Sequence, residues 1–310
     1  MFKRKSKEAI QTVLDNAVQT SLQNIDGKVA AYIPELASVS EELTGVAVLT
    51  NEGNLFTAGN ADDVLITLQS AAKLVVLIGL LEEVGSQRVF SWTKLEPSGD
   101  DFASLARLDQ FGPMPSNPML NAGAISLCSH IPGESEEQLA WLDQWMEKLF
   151  GEKLTLNHKV FASERRTGDR NRSLAYLMKS SNVLSTEIDQ TLDTYFYLCS
   201  FEATVRQMAH LPMLLANRGQ NAAGEQVISH ETVRQVVSIM ATCGLYNESG
   251  THLVRTGLPA KSGVSGAILA VALGHAGIAV VSPRVNRKGT SIRGSIMLET
   301  ISQELSWHFA

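Results

Sequence analysis

The sequence predicts an α+β fold in which one antiparallel sheet, built from both ends of the chain and flanked by helices, meets a mainly helical lobe. Three observations predict it. Strand-like tracts lie at Gly45–Thr50 and Leu55–Thr57 near the start and at Gly266–Gly274 and Ile278–Ser282 near the end. The stretch between them, from Ser70 to about Ser249, has helical periodicity. No repeat, low-complexity tract or long Pro/Gly/Ser linker divides the chain. A single unit over 1–310 is expected, with a sheet lobe over about 1–69 and 251–310 and a helical lobe over about 70–250. Binding sites favour clefts between lobes, which directs attention to the two seams.

In chain order, Gly45–Thr50 is rich in β-formers, Asn51-Glu-Gly-Asn54 supplies turn chemistry, and Leu55–Thr57 resumes, which reads as a hairpin. The apolar run Leu74–Leu81 is too short to cross a bilayer and long enough for a buried helix. Leu139–Phe150 carries apolar residues at helical spacing and is closed by Gly151. Gly266–Gly274 and Ile278–Ser282 form a second hairpin around Gly-His-Ala-Gly, and Ile292–Phe309 returns to helical periodicity.

Composition narrows the functional classes. With 44% hydrophobic and 19% charged residues, 310 residues can bury a core without staples. The 26 Lys and Arg against 32 Asp and Glu give a net charge of −6, which argues against a nucleic-acid partner. No membrane partner is expected either. The basic start passes into polar sequence instead of an apolar secretory core, so the expected location is the cytoplasm. Cys128, Cys199 and Cys243 are widely spaced, as reduced thiols would be, and the seven histidines show no ligand spacing, so no metal site is expected.

The first seam holds Ser70-Ala-Ala-Lys73 immediately before the apolar run. One helical turn puts Ser70 and Lys73 on the same face, within reach of each other, and the apolar run would bury the amine and lower its pKa. That is the requirement for a lysine-activated serine nucleophile. Ser91-Trp-Thr-Lys94 matches the same pattern, but its lysine sits beside Glu96 and Pro97, outside any apolar helix. The second seam holds Lys261-Ser262-Gly263-Val264, expected on a sheet-edge strand facing the serine.

Seven segments stand out along the chain: Tyr32–Ala37, Leu68–Lys73, Glu96–Gly99, Asn117–Ala124, Ser163–Asn171, Tyr195–Ser200 and Leu258–Val264. Together, and in this order, they resemble the serine-dependent glutaminases, and the resemblance spans about Tyr32 to Gly294. It implies a β-lactamase/transpeptidase-like fold and hydrolysis of L-glutamine to L-glutamate and ammonia through a γ-glutamyl-serine intermediate, without a cofactor. Carried over, Ser70 is the nucleophile, Lys73 its proton partner and Tyr246 a proton relay. The backbone N–H groups of Ser70 and Val264 form the oxyanion hole. Tyr32, Gln69, Asn121, Glu164, Asn171, Tyr195, Tyr246 and Val264 hold the substrate, and Lys261, Ser262 and Gly263 support the site. A homodimer or homotetramer is implied as well. Glutamine is a zwitterion, so Glu164 suits its ammonium, while neutral donors suit its carboxylate.

One departure from the family pattern is Ser265-Gly266-Ala267, where more glycine is expected, so reduced backbone freedom beside the oxyanion hole is anticipated. Nothing resembles the ankyrin repeats of animal members, so phosphate activation is not carried over from them. Two other readings share these residues. A penicillin-recognising serine hydrolase would carry a Ser-Asp-Asn motif and an export signal, and neither is seen. A catalytically inert glutamine-binding protein would have lost the nucleophile, yet Ser70, Lys73 and Tyr246 are all present.

Overall fold

The computed structural model describes residues 6–99, 103–106, 108, 112–184 and 186–310. Five strands form an antiparallel sheet in the order β2-β1-β8-β7-β6, where β1 is Gly45–Thr50, β2 Leu55–Gly59, β6 Ala260–Ser262, β7 Ala267–Ala272 and β8 Ala276–Val281. The sheet therefore joins both chain ends, and β6, which carries Lys261 and Ser262, is an edge strand as expected. The second hairpin turns at Leu273–His275, so β8 starts two residues earlier than Ile278. A second sheet of short strands, β3 (Ile66–Thr67), β5 (Phe201–Ala203) and β4 (Thr155–Leu156), has no counterpart in the sequence reading.

Among helices of eight or more residues we number α1 Lys7–Leu22, α2 Lys73–Val84, α3 Asn121–Cys128, α4 Ser135–Phe150 and α5 His158–Thr167. The series continues with α6 Asp169–Ser180, α7 Ile188–Cys199, α8 His230–Cys243, α9 Ser249–Thr256 and α10 Ile292–Leu305. The last helix stops short of Phe309 because Ser306 takes a left-handed conformation, φ 58°, and ends it. Among the described residues no helix is long and apolar enough to cross a membrane.

The strands β1, β7 and β8 read as unbroken apolar runs because both of their faces are covered. Val46, Val48, Ile268, Ala270, Ile278 and Val280 pack with α1 and α10. The alternate residues Ala47, Leu49, Leu269, Val271, Ala279 and Val281 join the core of the helical region. At the centre of that core α2 is buried all round from Lys73 to Leu81. Leu74, Leu77, Ile78 and Leu80 are fully buried, each contributing about 1.5–3 kcal/mol. A helix held this firmly fixes the position of its first residue, Lys73.

Candidate active site

The chain leaves β3 at Thr67, and the Leu68 amide donates to Phe201 O at 2.8 Å. Gln69 then takes φ 48°, a left-handed conformation that costs a non-glycine residue on the order of 1–3 kcal/mol. This sharp turn opens the 3₁₀ segment Gln69–Ala72, which runs directly into α2 and leaves Ser70 partly exposed. Lys73, one turn on, is fully buried as the apolar run predicts. Its Nζ donates to Met119 O at 3.0 Å and to Asn121 Oδ1 at 2.7 Å. Burial lowers the amine pKa to about 8. Met119 O and Asn121 Oδ1 thus accept two of the hydrogens of the amine. Among the described residues no hydrogen bond joins the Ser70 hydroxyl to Lys73. The other Ser-x-x-Lys pair, Ser91 and Lys94, is exposed.

The edge strand β6 forms the facing wall. A Cβ on Gly263 would fall inside the 3.0 Å that such contacts essentially never cross, against the Leu68 carbonyl oxygen, and 3.5 Å from the Ala71 amide. Glycine is what lets this strand lie against the serine turn. Lys261 pairs with Leu269 and Ser262 with Ile268, so their side chains leave opposite faces of the sheet. Lys261 points to the site, whereas the Ser262 hydroxyl is buried on the other face without a partner among the described residues, and the Ser262 carbonyl accepts from Lys261 Nζ at 2.6 Å. The support from Ser262 thus comes through its backbone. Beyond it, Gly263 N–H donates to Ala267 O at 2.8 Å and Gly266 N–H to Gly263 O at 3.0 Å. The positive φ of this turn falls on Gly266, 95°, and neither Ser265 nor Ala267 needs one. The anticipated loss of backbone freedom therefore does not arise. Among the described residues the N–H groups of Ser70 and Val264 have no acceptor within the chain.

Tyr246 opens the short 3₁₀ turn Tyr246–Glu248 with φ 55°. Its hydroxyl accepts from Lys261 Nζ at 3.2 Å, and the two buried amines lie 4.3 Å (Lys261) and 5.6 Å (Lys73) from its ring centroid.

The remaining wall is helical. The Asn117 side chain accepts from the amides of Met119 and Leu120, bending the chain so that Met119 O and Asn121, the first residue of α3, both reach Lys73. Asn121 Nδ2 donates to Asn171 Oδ1 at 2.9 Å. Asn171 thus reaches inward instead of capping α6. From α5 comes Glu164, whose Oε1 lies 2.8 Å from the Tyr32 hydroxyl; Gln69 Oε1 lies 3.0 Å from the same hydroxyl. The hydroxyl has one proton, and the carboxylate is the stronger acceptor. The Tyr32 loop is fastened to α5 by Ile33, Leu36 and Val160 and by Ser163, which donates to Glu35 at 3.0 Å. Ser70, Tyr32, Gln69, Asn121, Glu164, Asn171, Tyr195, Tyr246 and Val264 line one cavity of about 380 Å³.

A family model described as Glutaminase matches residues 27–309. The chain is 58% identical over 299 residues to a glutaminase of Legionella pneumophila strain Lens, covering 96% of each chain. It is 40% identical over 285 residues to a glutaminase of Clostridium tetani, covering 91% and 93%. Among solved structures, a probable glutaminase, ybaS, superposes with a TM-score of 0.93 at 34% identity over 97% of this chain and 98% of that one. A Bacillus glutaminase crystallised in 4.3M NaCl gives 0.88 at 34% identity over 98% and 100%. The chain belongs to the glutaminase family. The neighbours share its α+β architecture, the β-lactamase-like fold that the resemblance implies.

In this glutaminase family member the walls of the site shift the ionisation of its groups. Burial raises the Glu164 carboxyl pKa, and the Tyr32 hydrogen bond opposes that rise. Burial and Glu164 together push the Tyr32 hydroxyl well above its ordinary value, so it remains a donor. Burial does the same to Tyr195. Several lining residues escaped the sequence reading. Cys199 lies one helical turn from Tyr195 on α7, a spacing that could have revealed it, and burial pushes its thiol up to about 12. Arg170, Lys288 and Gly289 also line the cavity, and Lys288 and Gly289 belong to a loop with no local signal.

Proposed function

We propose that the chain hydrolyses L-glutamine to L-glutamate and ammonia through a γ-glutamyl ester on Ser70. One observation carries the reading: a partly exposed serine and a tyrosine line one cavity with a buried carboxylate, and a fully buried amine with a lowered pKa lies one helical turn from the serine. With Glu164 holding the α-ammonium, the side-chain amide reaches toward Ser70. Tyr32, Gln69, Asn171 and Tyr195 complete the hold. The Ser70 oxygen attacks the amide carbon while its proton passes to the neutral Lys73 amine. The Ser70 and Val264 N–H groups, unpaired among the described residues, receive the oxyanion, each worth roughly 3–4 kcal/mol. Ammonia leaves with a proton from Tyr246, the proton held by Lys73 passes to the Tyr246 phenolate, and water then cleaves the ester with the neutral Lys73 amine as base.

A cavity of this size with one anionic side chain fits a small zwitterion. Acid quench during turnover of L-glutamine, followed by peptide mass spectrometry, should place a γ-glutamyl group on Ser70. A group on another residue would overturn the assignment. Cytoplasmic residence is supported by three buried free thiols, Cys128, Cys199 and Cys243, which suit a reducing compartment. The homodimer or homotetramer that the resemblance implies belongs to the same proposal, and light scattering in solution decides it.

A further inference from the structure

Among the described residues that line the cavity, Glu164 is the one carboxylate, and it is buried. Two cations, Arg170 and Lys288, line the same cavity, and both are exposed, which places them at its mouth. They differ in what already occupies them. Arg170 Nε donates to Ala103 O at 2.8 Å. Among the described residues no carboxylate pairs with the Lys288 ammonium.

The loop beneath Lys288 has a fixed backbone. Asn286 Oδ1 accepts from the Lys288 amide at 2.8 Å and from the Thr290 amide at 3.2 Å. Asn286 N–H donates to Thr290 O at 2.9 Å, and Gly289 N–H donates to Asn286 O at 3.0 Å, so 286–290 closes into a small ring. Outside the ring, Asn286 Nδ2 donates to both carboxylate oxygens of Glu248, at 3.0 and 3.2 Å, and Val285 bridges Lys28 and Ser291. The left-handed φ of 84° falls on Gly289, whose backbone lies against Val264: a Cβ built there would meet Val264 Cγ2 at 3.6 Å. Lys288 is the one side chain longer than glycine that this ring sends to the cavity, and its ammonium rides on a flexible four-carbon stem with three donors.

We infer that Lys288 is a specificity-determining residue: its ammonium pairs with the α-carboxylate of glutamine at the cavity mouth and so selects the free zwitterion over ligands whose α-carboxyl is blocked. The inference rests on the glutamine reading above. With the side-chain amide at Ser70 and the α-ammonium at Glu164, the α-carboxylate is the remaining charge of the ligand, and a carboxylate leaving water needs a charged partner as well as neutral donors. Asn121, Asn171 and Tyr32 offer neutral donors, and Lys288 offers the charge.

The test measures kcat and KM for L-glutamine and for L-glutaminamide, in which the α-carboxylate is replaced by an amide. Lys288→Met should raise KM for glutamine about tenfold, with kcat within about 2-fold, and leave kcat/KM for glutaminamide within about 2-fold of the parent. Lys288→Arg, which keeps the charge, should bring KM for glutamine back to within about 3-fold of the parent, and Lys288→Glu should raise it beyond the methionine variant. If glutaminamide is not turned over, its inhibition constant against glutamine is read in place of kcat/KM, and if it does not inhibit either, the three glutamine values decide. A KM for glutamine within about 2-fold of the parent in Lys288→Met, equal losses on both ligands, or a loss confined to kcat overturns the inference. A parent that releases no ammonia from glutamine removes the reading of the function itself, whereas an active parent with unchanged Lys288 variants removes only the role of Lys288.

Discussion

Replacing Gly263 by alanine tests whether the contact between β6 and the serine turn sets the rate. The added Cβ meets the Leu68 carbonyl oxygen inside 3.0 Å, and both partners are backbone, so no side chain can rotate away. The strand and the turn must separate by an amount on the order of half an ångström to one ångström. Val264 follows Gly263, Lys261 lies two residues before it, and Ser70 lies two residues from Leu68, so the separation moves both walls of the site. A displacement near 1 Å costs about 10²-fold in rate, and overpacking at such a contact costs about 1–3 kcal/mol in stability. The assay is steady-state ammonia release from L-glutamine, with the folded fraction measured by urea denaturation. The expected result is a kcat reduced about 10²-fold in protein that remains folded. A variant within about 3-fold of the parent, at equal stability, would refute the claim that this contact positions the reacting groups.

Three further outcomes are expected. Glu164→Gln should raise KM for glutamine at least about tenfold by removing the partner of its ammonium. Because burial raises the Glu164 pKa, the folded chain binds its proton more tightly than the unfolded chain, so stability falls as pH rises above 4.5 through the raised value. Urea titrations should therefore find the Gln variant more stable than the parent at pH 7, with the gap closing in acid. Lys73→Met should abolish turnover. Between pH 8 and 10.5 the unfolded parent holds more protons at Lys73 than the folded parent, so parental stability should rise there by about 3 kcal/mol more than that of the variant. Gly266→Ala should lower stability, since its φ of 95° suits only glycine and its Cβ would overlap Ser282 O.

The five-stranded sheet was legible because β1, β7 and β8 are apolar on both faces, a pattern that local sequence displays. Burial of Lys73 was legible for a similar reason, since nine consecutive residues of α2 from Lys73 onward leave no polar face. The sheet of β3, β4 and β5 was not, because strands of two or three residues carry no periodicity. The left-handed conformations at Gln69 and Tyr246 were equally hidden, as nothing local favours them and the surrounding structure imposes them. The sequence motifs brought the right side chains to the cavity but not their division of labour. Asn121 was expected on the substrate, and its side chain also joins Lys73 to Asn171. Ser262 was expected to support the site, and strand alternation sends its hydroxyl to the opposite face.

Ammonia release from L-glutamine by Ser70→Ala, beside the parent at equal folded concentration, tests the central claim most directly. The account predicts vigorous release by the parent and a loss of at least about 10³-fold in the variant, with the fold retained. Release by the variant within tenfold of the parent would contradict it.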